Sequence, residues 1–377
     1  MIDFSTLQRL TIPEGVVTQI ADSEGNVLWA LASESSEPIV LKVKKITSNT
    51  YAGSTAYNNE QFILLDIYPK TANSVVEVTY GDVTKTLTFS GSNAKQVYFG
   101  TFNGVSDDVE TPVNGTLTIK GECAGVGASS YYTDSKGNTN YCGCITAITK
   151  LVGISFIPAH AFHNCNKLTS ITIPDSVTSI GEHAFDSCDS LTSTTIPDSV
   201  TSIGDGAFYG CDNLTSVIIP DGITSIGNDM FHMCKNLTNV NIPNSVTSID
   251  EQAFYYCDSL TNIIIPDSVT SIGFSAFNSC VSLTSITIPD SVTSIGKSAF
   301  SGCTNLTHVI IGDGVTDIEV RAFQMCDNLS SVIFNNTFGW RVSEYTTETG
   351  TAVDVTDPAI NATLINNTYV QYYWKRS

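Results

Sequence analysis

Eight cysteines recur every 23 residues: Cys165, Cys188, Cys211, Cys234, Cys257, Cys280, Cys303 and Cys326. Thiols at a fixed period could form a metal or redox ladder. A structural zinc site needs four ligands drawn largely from Cys and His, and no His or second Cys accompanies each copy. Side chains stacked in parallel keep their Cβ atoms about 4.8 Å apart, beyond the usual disulfide range of roughly 3.5–4.5 Å. The spacing favours a small core residue beneath a turn. Cys123, Cys142 and Cys144 fall outside the period. A bond from Cys123 to Cys142 or Cys144 stays open at this point.

Two other constellations could do chemistry. An acidic ladder comprises Asp175, Asp198, Asp221, Asp267, Asp290 and Asp313, with Asn244 in its gap. Stacked carboxylates could bind Ca²⁺; the preferred reading is that each accepts backbone N–H bonds in its own turn. The period also sets His160 beside His183 and His163 beside Asp186. Such a cluster could hold a metal, but no shaped pocket is implied, and chance placement on a convex face is preferred. No nucleophile elbow, P-loop, zincin motif or dinucleotide fingerprint is present. The expectation is a non-enzyme with no catalytic residue, no metal and no cofactor.

The elements behind these residues come from an internal repeat. LTSITIPDSVTSIGEHAFDSCDS, residues 168–190, restarts at Leu191, Leu214, Leu237, Leu260, Leu283 and Leu306. A degenerate copy begins at Ile145, and a partial one, LSSVIF, ends at Phe334. Leu168, Ile171 and Ile173 alternate with Ser170 and Thr172, the period of a short strand. Pro174 ends it, and Asp175 with Ser176 makes the turn. Val177 and Ile180 form a second inward pair. EHAFDSC then reads as a short helical or 3₁₀ turn, with Ala184, Phe185 and Cys188 facing back inside. One copy cannot bury its apolar face; stacked copies bury a continuous core and pair their strands. Eight copies would span roughly 40 Å.

The L-x-x-I-x-I-P strand, the V-T-S-I-G step and the A-F-x-x-C turn resemble the BspA-like leucine-rich repeats of gut and oral bacteria. The resemblance covers about half the chain. It implies a mainly β protein with a leucine-rich-repeat solenoid over residues 145–334. Departures are few: Lys150 in the first copy, Thr194 for the inner Ile, Met230 for Ala, and Gly312 for Pro.

Residues 1–37 read as a hairpin, VVTQI and NVLWA around ADSEG, followed by a linker. Residues 38–122 hold six alternating segments, from IVLKVKKI to GTLTIKGE, and suggest an immunoglobulin-like β-sandwich. Residues 123–144, rich in Gly, Ser and Tyr, would cap the solenoid's N-terminal end. Residues 335–377 would cap the other, with Trp340, Tyr372, Tyr373 and Trp374 covering exposed core. The motifs L-T-I-P-E-G-V-V-T-Q-I, G-N-V-L-W, V-Y-F-G-T-F-N-G-V and Y-Y-W-K-R also resemble segments of tail-associated proteins in phages and prophages of gut Firmicutes.

Charge narrows the partners. Acidic residues outnumber basic ones 37 to 17, for a net charge of −20. That excludes nucleic-acid backbones and opposes anionic membranes. No apolar run is long enough to span a bilayer, so no membrane insertion is expected. MIDFSTLQRLTIPEG lacks the basic and apolar regions of a secretory signal. The outward strand positions are small and monotonous. Variation gathers around the A-F-x-x-C turn, where Tyr209, His232, Tyr255, Tyr256 and Phe274 are the candidate ligand-binding residues, with Met233, Gln324 and Met325 nearby. The reading against them is that this face merely tolerates substitution. The expected function is recognition of a protein or glycan on a cell surface, from a virion tail or an extracellular surface. The alternative is a BspA-type bacterial adhesin.

Overall fold

The computed structural model describes residues 153–344 and 350–376, and before them 19–21, 27–30, 39–44, 46–47, 61–80, 82–102, 105–106, 114–121, 123–128, 132–133, 139–140 and 145–150. Gln19–Ala21 and Val27–Ala30 pair antiparallel as a hairpin. Each of the six alternating segments contains a strand: Ile39–Lys44, Gln61–Pro69, Val75–Tyr80, Val83–Thr88, Lys95–Phe102 and Asn114–Gly121. They form two antiparallel sheets. Val76, Val78 and Tyr80 alternate inward from one sheet, Leu65, Ile67, Val97 and Phe99 from the other. Tyr80 meets Phe99 across them at 5.8 Å between ring centroids.

The solenoid follows the sequence period. Ser170–Thr172, Ser193–Thr195, Ser216–Ile218 and Asn239–Asn241 pair in parallel at 23-residue register, each with its middle residue buried and its outer two exposed. A second ladder is built from the Ser-Ile steps, beginning with Phe156–Ile157, Ser179–Ile180 and Ser202–Ile203. Inside, Phe162, Phe185, Phe208, Phe231, Phe254, Phe277, Phe300 and Phe323 stack ring on ring, as at the 5.2 Å step from Phe254 to Phe277. Beneath each ring lies the periodic cysteine. Cys188 Sγ donates to the Phe162 carbonyl at 3.2 Å, and the later copies repeat this 26-residue reach.

Three expectations need correction. EHAFDSC is not a helix. Two residues per copy, such as His183 and Ser187, have φ near +50 to +60°, and a right-handed helix cannot pass through them. Local bonds of the Asp186 N–H to His183 O and the Cys188 N–H to Phe185 O alternate with bonds to the next coil. His183, Phe185 and Ser187 donate to the carbonyls of Asp205, Ala207 and Tyr209 at 2.8–2.9 Å. The same triple joins every pair of successive copies from His160 to Gln324.

The second correction concerns the strand ladder, which is interrupted. Strand pairing stops at Asn241 and resumes with Ser285–Ile288. The Ser-Ile ladder has its own break between Ile203 and Ser225; there the Asn228 N–H reaches Asp205 Oδ1 at 3.1 Å instead.

The third correction concerns the first copy. Its opening strand, Ile145–Lys150, pairs antiparallel with Ile39–Lys44 and so completes an N-terminal sheet. Of its two strands, the second, Phe156–Ile157, is the one that pairs within the solenoid, and its turn from His160 onward joins the next coil. Cys123–Ala128 belongs to the other N-terminal sheet, paired with Gln61–Pro69. It also lies on the first coil: the Ser155 N–H donates to Ala124 O at 2.8 Å. A Cβ on Gly127 would stand 2.8 Å from Ala161 Cα, so only glycine permits this approach.

At the far end, Trp340–Ser343 and Tyr373–Arg376 pair antiparallel, and the latter extends the Ser-Ile ladder at Asp317–Ile318. Trp340 and Trp374 are buried against Phe334. The buried Asn361 amide donates to Val332 O and Val355 O, both at 2.9 Å. These contacts supply partners that a ninth coil would otherwise provide.

Candidate functional site

The turn ladder sets side chains of the same repeat position in columns. Position 209 recurs as 232 and 255, so Tyr209, His232 and Tyr255 form one column. Their rings lie 4.5 and 4.7 Å apart, tilted, and Tyr256 meets Tyr255 edge-on at 4.6 Å. His232 is buried between its neighbours, while Tyr256 is 39 % exposed. Asp229 orients His232 through a 2.6 Å contact from its Oδ1 to Nδ1. The Tyr209 hydroxyl points to Met233 Sδ at 3.9 Å. Phe274 stands apart from this column, 40 % exposed, with the Lys297 ammonium 5.9 Å from its ring centroid.

Toward the N-terminus the same face becomes ionic. His160 stacks on His183 at 5.3 Å, and the His183 ring stands 6.2 Å from Tyr209. Asp186 Oδ2 faces His163 Nδ1 at 3.3 Å and His183 Nδ1 at 3.0 Å. Burial works against the Asp186 charge, but bonds from His163, His183 and Ser187 outweigh it and hold the carboxyl well below the usual carboxylate range. The Asp186 bond raises the His183 pKa. Burial, then the neighbouring His183 and His163, lower that of His160. A continuous strip results, ionic at one end and aromatic at the other. It offers ring faces and hydroxyls for stacking and hydrogen bonding.

The periodic cysteines carry none of this chemistry. All eight are buried free thiols. Burial pushes the Cys326 thiol up to about 12 and those of Cys188, Cys211, Cys234, Cys257, Cys280 and Cys303 upward as well, so in these seven the nucleophilic thiolate is not populated at neutral pH. Cys123 is also a free thiol, donating to Gly125 O at 3.2 Å; Cys142 and Cys144 lie outside the described residues. Among the described residues no group of three or more His, Cys, Asp or Glu is placed to hold a metal ion.

The model of the BspA type leucine-rich repeat region matches residues 139–260 and 224–346, in six copies. The chain belongs to the BspA-type leucine-rich-repeat family. Solved structures add likenesses of lower overall similarity. A leucine-rich repeat protein from Bacteroides ovatus is 28 % identical, with 58 % of this chain and 67 % of that one covered and a TM-score of 0.41. A leucine rich cell surface protein from Faecalibacterium prausnitzii is 29 % identical over 55 % and 75 % of the two chains, with a TM-score of 0.34. Among curated proteins nothing matches the chain.

In this BspA-type solenoid the expected site residues divide into a group and an outlier. Tyr209, His232, Tyr255 and Tyr256 come together as one strip; among the described residues Phe274 makes no ring contact with it. Column arithmetic could have found one missed partner: Asp229 precedes His232 by the three-residue step of the turn. Asp186, which the period already set beside His163, occupies the Tyr209 column one copy earlier. The acidic ladder differs from its expected role. The first turn is closed by the Val177 N–H to Pro174 O at 3.0 Å, and later copies repeat the bond. Ser176 Oγ donates to Ile154 O. The aspartates point to solvent; Asp290 accepts the Asp313 N–H of the next copy.

Proposed function

We propose that this chain is a non-enzymatic recognition protein that meets a cell surface through the turn face of its solenoid. One observation carries the reading: the three-copy column Tyr209–His232–Tyr255, extended by Tyr256, on the turn face. Exposed rings in a polar field suit contact with a partner, and ring faces bounded by hydroxyls suit the C–H face and hydroxyls of a glycan. Phe274 with Lys297 supplies a second contact on the same face. We read the two N-terminal sheets as an immunoglobulin-like sandwich that mounts the solenoid. The flanking motifs support a phage or prophage tail as the mounting; the repeats support a BspA-type surface adhesin.

Binding of the full chain to arrayed bacterial-surface glycans tests the contact, with Tyr255→Ala/Tyr256→Ala alongside. The double variant is expected to weaken binding about tenfold or more, the loss typical of a contact hot spot. Unchanged affinity would remove the strip from consideration. Sedimentation of the native protein after prophage induction separates the two mountings. Co-migration with particles supports the tail; recovery with the cell envelope supports the adhesin.

A further inference from the structure

A cleft of 430 Å³ opens on the strand face between residues 238–242 and 261–264. It lies where the strand ladder stops. In the other copies one backbone bond starts each strand pair: Thr192 N to Thr169 O, Thr215 to Thr192, Thr238 to Thr215, Thr307 to Thr284, and Ser330 to Thr307, at 2.9–3.2 Å. The corresponding bond from the Thr261 N–H to Thr238 O is missing among the described residues. The Thr215 and Thr238 hydroxyls each reach back one copy at 3.1 Å; that of Thr261 does not. Residues 261–265 join the following copy through one longer bond, from Thr284 N to Thr261 O at 3.4 Å.

The coils remain joined elsewhere. Between the same two copies, Gln252, Phe254 and Tyr256 donate to the carbonyls of Phe274, Ala276 and Asn278. Ser248 and Ile249 pair with Ser271 and Ile272. The solenoid is therefore parted along one side only. Inner side chains on the two lips, Val240, Ile242, Ile263 and Ile265, stay buried at 5–8 % exposed, comparable to Ile171 at 6 % and Ile173 at 4 % where the ladder is closed. Ile264 projects outward at the opening, 76 % exposed. No charged side chain lines it.

We infer that this cleft binds an extended, uncharged, β-branched-rich strand of a partner protein, added in parallel between the two lips. Unpaired backbone groups on both lips are the complement of a peptide strand, and strand addition draws its affinity from such bonds. The lips supply a carbonyl at Thr238 and an N–H at Thr261. The inner positions flanking the cleft are the β-branched Val240 and Ile263, so an added strand of the same residue types continues the repeat's own pattern. The outward Ile264 gives the added strand one apolar neighbour across the face. An uncharged lining selects against acidic and basic segments alike. This site is separate from the turn-face strip.

Hydrogen exchange on the full chain tests the inference, using the synthetic peptide LTSITIP, a copy of residues 283–289, as probe. In the free protein the amides of 261–265 are expected to exchange about tenfold or more faster than those of 285–288. Saturating peptide is expected to slow them by a similar factor, and a peptide N-methylated at alternate residues is expected to have no effect. Equal exchange of the two segments in the free protein would show a closed ladder and overturn the inference. So would indifference to the peptide, or protection that appears only with rising protein concentration, which would make the occupant a second copy.

Discussion

The turn ladder and the strand ladder run side by side along the same copies, yet only the turn ladder is unbroken. Every successive pair of copies from His160 to Gln324 is joined by three turn bonds, while strand pairing lapses between Asn241 and Ser285. Chemical variety follows the opposite order. The strand face repeats Ser, Thr and Asn with a few outward isoleucines, whereas the turn face carries histidines, tyrosines and a buried carboxylate. The continuous backbone ladder is thus the one that tolerates changing side chains. Its bonds are made by main-chain groups, and its inward contacts by the fixed Ala, Phe and Cys. The side chains between them are free to specialise.

The largest test of this contrast is Phe254→Ala. Its ring lies between those of Phe231 and Phe277, and its loss should cost about 3–5 kcal/mol, read as a fall in urea midpoint. Ile264→Ala, on the strand face, should leave the midpoint nearly unchanged because its side chain is already in water. Equal effects would end the distinction between the two ladders. Thr194→Val acts in the other direction. Thr194 sits between Ile171 and Val217 in the strand ladder, with its buried hydroxyl lacking a partner among the described residues. Valine should stabilise by about 1–2 kcal/mol; a lower melting temperature would show that the hydroxyl is satisfied.

Smaller effects sharpen the account of the turns. Ser298 has φ +58°, where the first copies of the same position hold His160 and His183 and the third holds Gly206. Ser298→Gly should stabilise by about 1 kcal/mol, since a side chain at positive φ is strained; destabilisation on thermal melting would argue against that geometry. The smallest effect is that of pH. His183 gains a raised pKa from Asp186, so its contribution is full below its unfolded pKa and is lost as pH rises through the folded one. Asp186, held low, contributes above its unfolded pKa and loses this as pH falls. The pair should therefore stabilise most in mildly acidic solution. His160, lowered by burial, opposes this as pH falls. His183→Gln should flatten the decline in urea midpoint between about pH 5.5 and pH 8, near the reference His pKa of about 6.5; an unchanged slope would dismiss the pairing.

Much of this was legible in the residues. The 23-residue period assigned the inward Leu, Ile, Val, Ala, Phe and Cys, because one pattern repeated in phase has one way to bury its apolar face. It also brought Tyr209, His232 and Tyr255 into one column. It did not reveal the left-handed turn residues. Sixteen such positions, two in each of eight copies, include only three glycines, Gly206, Gly210 and Gly302, so the usual signal for positive φ is mostly absent.

Sequence alone therefore determined the repeat, its core and the order of its faces, since those follow from side-chain type at a fixed period. Tertiary structure decided where the hydrogen bonds close. EHAFDSC is drawn out of a helix by carbonyls 22 residues away. Ile145–Lys150, in phase with the repeat, is taken instead by the edge of Ile39–Lys44. LTNIIIP, as regular as its neighbours, is left without a strand partner. Main-chain N–H and C=O groups are the same in every residue, so the choice among available partners depends on which edges the folded chain brings together.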